Sequence, residues 1–179
     1  MWPRETELAD GARLSIAPVE EADAEAMAAY VPAVGAESDF LTFGPGEWEP
    51  TVEEERDMVA RLEERGVSLM LKGEVDGELI GLASAERSSR PRLVHQAQIG
   101  MSVRRSWWGR GAGRAMMDAV IDWARLERVR HLRLMVRTDN DRALRLYRGL
   151  GFEVEGTLPR YFLLEGRFFP VHVMGLPID

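Results

Sequence analysis

The stretch "SWWGRGAGRAMMDAVIDWA", Ser106 to Ala124, sets glycines at positions 109, 111 and 113 and then runs into an amphipathic pattern. Three side chains are missing from one short turn, so its backbone can bend freely and lie directly against a ligand. A strand feeding this turn and a helix leaving it would aim the amides of Gly109, Arg110, Gly111, Ala112, Gly113 and Arg114 inward, beside the positive end of the helix dipole. That arrangement binds anions, and a phosphate or pyrophosphate is its natural ligand. An ordinary tight connection is the plain alternative.

Two known phosphate turns can be set against the pattern. A Walker turn needs Gly-Lys-Ser/Thr, and the only lysine in the chain is Lys72, so that reading fails. A dinucleotide fingerprint is G-x-G-x-x-G on the first strand–helix unit, whereas this chain has G-x-G-x-G after a late strand. Asp139 follows the next strand, where such a fold keeps its ribose-binding acid, so a nucleotide-binding module stays open. Other chemistries lack their residues. There is no cysteine, which excludes disulfides, thiolate zinc sites and a cysteine nucleophile. His95, His131 and His172 are far apart and without ligand spacing, so no metal is expected. No nucleophile turn supports a Ser-His-Asp triad.

The elements that must position the turn can be read from periodicity. "RLSIAPV", Arg13 to Val19, alternates as a first strand, and "EEADAEAMAAYVPAV" has the composition of a helix that Pro32 ends or kinks. Gly35 to Pro50 has no clear period and reads as a surface loop. Thr51 with Glu54 forms a capping box for a helix expected to reach about Arg65, where Gly66 stops it. "VSLMLKGEVDGELIGLASAER" is two strands joined at Asp76-Gly77, a strong hairpin signal. "VHQAQIGMSV", Val94 to Val103, is the strand entering the glycine turn. The helix after it carries Met116, Ala119, Val120 and Trp123 on one side, a core-facing stripe. A strand at "HLRLMV", a short helix from Asn140 to Leu150 stopped by Gly151, and a strand pair around Glu165-Gly166 complete a mixed α/β order.

The 179 residues fit one domain, 1–179, and 45% apolar residues can fill its core. The first residues are charged and lack a signal-peptide core, and no apolar run reaches about 18 residues, so a cytoplasmic protein without membrane contact is expected. A net charge of −7 argues against nucleic acid as partner. The sign is uneven: between Arg104 and Arg148 twelve arginines face five acids. Some of these are solvated helix-face pairs, Asp118 and Asp122 beside Arg114 and Arg125, yet a small polyphosphate would find the local field favourable.

"WGRGAG", Trp108 to Gly113, resembles the pyrophosphate turn of the Gcn5-related N-acetyltransferases, Gln/Arg-x-x-Gly-x-Gly/Ala, with Gly111 and Gly113 in the required positions. "NDRALRLYRGLGF" resembles a second signature of that family, Asn-x-x-Ala-x-x-Leu-Tyr-x-x-x-Gly-Phe, at Asn140, Ala143, Leu146, Tyr147, Gly151 and Phe152. Both stand in order, with one strand between them. The resemblance runs from about Gly77 to the C-terminus, where the tail is similar to bacterial small-molecule and amino-acid N-acyltransferases. Trp108 departs from the pattern, so backbone amides, helped by Arg104, Arg110 or Arg114, must hold the pyrophosphate.

The resemblance implies a single-domain fold with a mixed, mostly antiparallel central sheet, splayed strands and flanking helices. It implies acetyl-CoA as co-substrate, a small-molecule amine as acceptor and direct transfer in a ternary complex. The backbone of Met101 and Val103 would pair with pantetheine, and the N–H of Met101 would face the thioester oxygen. Tyr147 would protonate the leaving thiolate, since a phenol with a reference pKa of about 10 stays protonated at neutral pH. Asn140 would cap its helix and contact CoA. A homodimer is a further family expectation. Where relatives keep a glutamate base, this chain has Gln96 and Gln98, leaving Glu37, Asp39, Glu47, Glu86 and His95 as unranked candidates. A non-catalytic acyl-CoA-binding module and an acetyltransferase of protein N-termini are the competing readings.

Overall fold

The computed structural model describes residues 2–65 and 68–179, with side chains 63–65 outside the description. The expected stop at Gly66 therefore lies outside the described residues. The described residues form eight strands, β1 (Arg4–Glu7), β2 (Arg13–Pro18), β3 (Ser68–Val75), β4 (Glu78–Arg87), β5 (Gln96–Val103), β6 (His131–Arg137), β7 (Glu153–Leu164) and β8 (Arg167–Pro177), and hydrogen bonding orders them as β1-β2-β3-β4-β5-β6-β8-β7. The pairs β1/β2, β2/β3, β3/β4, β6/β8 and β7/β8 are antiparallel, and β5/β6 is parallel. The chain divides into two compact units, Met1–Glu86 with Gly100–Val120, and Arg87–Ile99 with Ile121–Asp179.

The first unit opens with a hairpin of Arg4–Glu7 (β1) and Arg13–Pro18 (β2). The first strand was not anticipated. Its tip is a tight turn in which Gly11 N–H bonds to the Leu8 carbonyl at 2.9 Å, Leu8 N–H bonds to the Ala12 carbonyl at 2.8 Å, and Gly11 stands at φ +87°. This is the three-residue hairpin loop that needs a glycine in the left-handed region. After one 3-10 turn, α1 spans Ala24–Glu37 with Pro32 inside it. Of the two expectations for Pro32, an end or a kink, the end does not occur, and the loop expected from Gly35 begins only after Glu37. Interior proline costs about 3 kcal/mol. The burial of Met27, Tyr30, Val31 and Val34 against Val59, Leu79 and Leu82 offsets it.

The capping box forms at the start of α2, Val52–Arg65: Thr51 N–H bonds to Glu54 Oε2 at 2.8 Å, and Glu54 N–H to Thr51 Oγ1 at 3.2 Å. Ser68–Val75 (β3) and Glu78–Arg87 (β4) meet at Asp76-Gly77, both with positive φ, the type I′ geometry their sequence predicts. Gly73 and Gly81 are register partners across these strands. A Cβ on Gly81 would stand 2.8 Å from Met116 Sδ, and one on Gly73 3.0 Å from it. The paired glycines thus form a notch for the fully buried Met116 of α3, Ala112–Leu126.

The second unit begins with the Pro91–His95 turn and the first half of β5, Gln96–Val103. His95 lies in that turn, exposed, and not on the strand as expected. The parallel ladder joins Gln96, Ala97 and Gln98 to His131, Leu132 and Arg133 of β6, His131–Arg137. Leu132, Leu134 and Val136 alternate into the core as predicted. α4 spans Asp141–Gly149, and Gly151 at φ +93° turns the chain into β7, Glu153–Leu164, and β8, Arg167–Pro177. Ala119 and Val120 of α3 are buried, while Trp123 of the expected stripe is only partly so. No described helix is long and apolar enough to cross a membrane.

Candidate active site

The glycine turn lies between a 3-10 turn at Arg105–Trp107 and α3. Gly109 stands at φ +77° and Gly111 at φ +101°, and a Cβ at either would meet nothing within 4 Å. These glycines are needed for backbone conformation, and the space beside them is open. The first helical bond into the turn is Ala115 N–H to the Gly111 carbonyl, 3.0 Å. No acid stands in the first turn of α3. The amides that lead the helix add to a positive helix terminus that no acid in this turn offsets.

On β5, Arg104 N–H bonds to the Ile80 carbonyl of β4 at 2.8 Å. The Ser102 carbonyl lies 3.2 Å from where a Gly81 Cβ would stand. Residues 102 and 104 thus turn their backbone polar groups toward β4. By strand alternation, Met101 and Val103 turn theirs to the side away from β4. The Val103 carbonyl is engaged, accepting the Trp108 indole N–H at 2.7 Å. Trp108 thereby closes the loop onto the strand that feeds it.

In the second unit, Tyr147 is 8% exposed and packs 5.8 Å from the Phe152 ring. Its hydroxyl makes no hydrogen bond among the described residues. Burial pushes its pKa up to about 12, so the phenol holds its proton throughout the neutral range. Asn140 caps α4, its Oδ1 accepting Ala143 N–H at 3.2 Å. Its Nδ2 has no partner among the described residues and is available to a ligand.

The arginines near the turn already have partners: Arg104 with Glu37 at 2.8 Å, Arg110 with Asp10 at 2.7 Å, Arg114 with Asp118 at 3.6 Å. Glu37 is poorly suited to act as a base. Its Oε1 accepts from Arg104, and its Oε2 accepts Arg105 N–H at 2.7 Å, which fixes the exit of β5. Asp39, Glu47 and Glu86 are exposed. Glu47 Oε2 accepts Gly44 N–H at 2.7 Å within its own loop. Two positions were not anticipated. Tyr30 meets Ser102 Oγ at 3.0 Å, and burial raises its pKa to about 12. Glu55 is a buried carboxylate with no hydrogen bond or ion pair among the described residues, its pKa raised by burial first and Glu54 second. Helical spacing from Val59 could have flagged Glu55; no sequence signal links Tyr30 to Ser102. No group of metal-ligating side chains exists among the described residues.

Residues 35–152 match the family model described as the acetyltransferase (GNAT) family. The chain is 33% identical over 118 residues to the L-amino acid N-acetyltransferase AaaT of Escherichia coli, covering 64% of this chain and 71% of that one. A crystal structure of a GNAT-family acetyltransferase from Streptococcus pneumoniae superposes with a TM-score of 0.88 at 27% identity, covering 93% and 99% of the two chains. A structure of yncA from Salmonella typhimurium with its cofactor acetyl-CoA does so with a TM-score of 0.81 at 20% identity, covering 93% and 94%.

Proposed function

Because this chain belongs to the acetyltransferase (GNAT) family, we propose that it moves the acetyl group of acetyl-CoA to the primary amine of an amino acid or a similarly small molecule. The observation that carries the donor half is the glycine turn, with open space beside Gly109 and Gly111 and, behind it, the backbone amides of a helix start whose first turn holds no acid. Those amides and the helix dipole suit a pyrophosphate better than any side chain here, because the nearby arginines are occupied. The acceptor class rests on the likeness to an L-amino acid N-acetyltransferase.

In this reading the neutral amine attacks the thioester carbonyl, and the oxygen gains negative charge as the new C–N bond forms. The Met101 N–H, turned away from β4, supplies the donor for that oxygen. Collapse breaks the C–S bond, and Tyr147 gives its hydroxyl proton to the departing sulfur while the attacking nitrogen loses its own proton to solvent or a base. Gly109 to Arg114 and the Nδ2 of Asn140 hold the donor. No covalent enzyme intermediate is needed, in keeping with a chain without cysteine.

The test is thiol release from acetyl-CoA with free amino acids, polyamines, aminoglycosides and short peptides as acceptors. The protein has no thiol of its own to raise the background. Release with amino acids is expected. Release with peptides alone would make it an acetyltransferase of protein N-termini, and silence with CoA still bound would make it a binding module.

A further inference from the structure

The glycine turn is tied to the N-terminal hairpin by two contacts. Ala9 N–H bonds to the Arg110 carbonyl at 3.0 Å, and Asp10 Oδ2 accepts from Arg110 Nη1 at 2.7 Å. Asp10 is itself fixed, since its Oδ1 accepts Ala12 N–H at 3.2 Å. The Arg110 guanidinium also lies over the Trp107 ring, 4.7 Å from its centroid. A peptide unit is planar and trans, so the Arg110 carbonyl and the Gly111 N–H point in opposite directions. With the carbonyl held toward Ala9, the Gly111 N–H must point away from the hairpin. Gly111, free of the restrictions of a Cβ, could otherwise accommodate the flipped peptide.

We infer that the hairpin tip, Ala9 and Asp10, is a positioning element that locks the Arg110–Gly111 peptide with its N–H presented to the pyrophosphate of CoA. Ala9 touches no substrate atom in this scheme; it acts through Arg110. The inference rests on the proposed acetyl-CoA reading. It gives the first strand and its turn a part in donor binding, although both lie outside the two motifs that mark the site.

The test uses a substitution that removes one donor and keeps the turn. Ala9 is the second residue of the Leu8–Gly11 turn, the place where proline is most readily accepted in a type I turn, so Ala9→Pro deletes the N–H with the hairpin retained. Loss of one anchoring hydrogen bond is expected to raise the Kd for CoA roughly fivefold or more by calorimetry. The kcat/KM for acetyl-CoA should fall by the same factor, while that for acetylpantetheine, which lacks the pyrophosphate, stays unchanged. A purely structural defect would lower both. Wild-type affinity for CoA in the Ala9→Pro protein, or equal losses with both donors, overturns the inference alone. Failure of the wild-type chain to bind CoA overturns the functional reading, and this inference with it.

Discussion

Glu37, the last residue of α1, accepts the backbone N–H of Arg105 at 2.7 Å and binds the Arg104 guanidinium through its other oxygen. One carboxylate thereby joins the end of a helix to the point where β5 leaves the sheet for the phosphate turn. Its partners make it a clamp. Glu37→Gln keeps one oxygen to accept from one of the two donors, sets an amide NH2 that cannot accept against the other and loses the charge, and is expected to retain kcat within about fivefold while melting several degrees lower, roughly 1–3 kcal/mol. A thousandfold loss of kcat with an unchanged melting temperature would instead identify Glu37 as the base.

Tyr147→Phe should bind CoA as the wild type does and turn over at least tenfold more slowly, the lower end of what a general acid contributes. Calorimetry and the thiol assay on the same preparation separate the two effects. Unchanged turnover would remove Tyr147 as the proton donor.

Both buried tyrosines have pKa values pushed up to about 12. The folded protein therefore keeps two protons that the unfolded chain loses near pH 10. Their contribution to stability is fully present below that pH and is lost as pH rises toward 12, with a slope of about 1.4 kcal/mol per unit for each group. Denaturant unfolding at pH 9 and pH 11 should show the wild type losing more stability than Tyr30→Phe. Equal losses would mean that Tyr30 titrates normally.

Gly111→Ala tests backbone conformation without a steric clash, since nothing lies within 4 Å of the new methyl group. At φ +101° an alanine is strained by about 1–2 kcal/mol, and the turn can relax by rotating the peptides that face the ligand. CoA affinity is expected to drop about tenfold with only a small change in melting temperature. Gly81→Ala is the contrasting case: its methyl would enter the notch that seats Met116, costing about 1–3 kcal/mol through overpacking. Met116→Ala should recover part of that loss in a double-mutant cycle.

The parts of the site that depend on local chemistry were legible in the sequence. Glycines at 109 and 111, the Asn140 cap, the Thr51–Glu54 box and the two hairpin turns at 76–77 and 165–166 each require a particular residue at a particular place, and each is found there. The parts that depend on tertiary packing were not. Pro32 reads as the end or a kink of the helix, and the buried face of α1 carries the helix on to Glu37. Asp10-Gly11 is as good a turn signal as Asp76-Gly77. The residues "RETE" before it have no apolar face, however, and β1 is a short edge strand with little to bury, so periodicity does not mark it. The contacts of Tyr30 with Ser102 and of Ala9 with Arg110 link positions 72 and 101 residues apart, and no local pattern encodes them.

Glu55 presents the sharpest conflict between stability and function. A carboxylate this buried, with no partner among the described residues, has its pKa raised by loss of solvent and by Glu54 beside it. The folded state therefore holds that proton more tightly than the unfolded chain does. Its contribution is present below the ordinary glutamate pKa of about 4.3 and is lost as pH rises through the higher folded value, so at neutral pH the charged group destabilises the fold. Glu55→Gln removes the charge and keeps the shape. The variant should melt higher than the wild type at pH 7, and the difference should shrink toward pH 4, where both side chains are neutral. If it also keeps full thiol release, Glu55 is a structural burden alone. If activity falls while stability rises, the carboxylate serves the acceptor amine, and its cost to the fold has a functional reason.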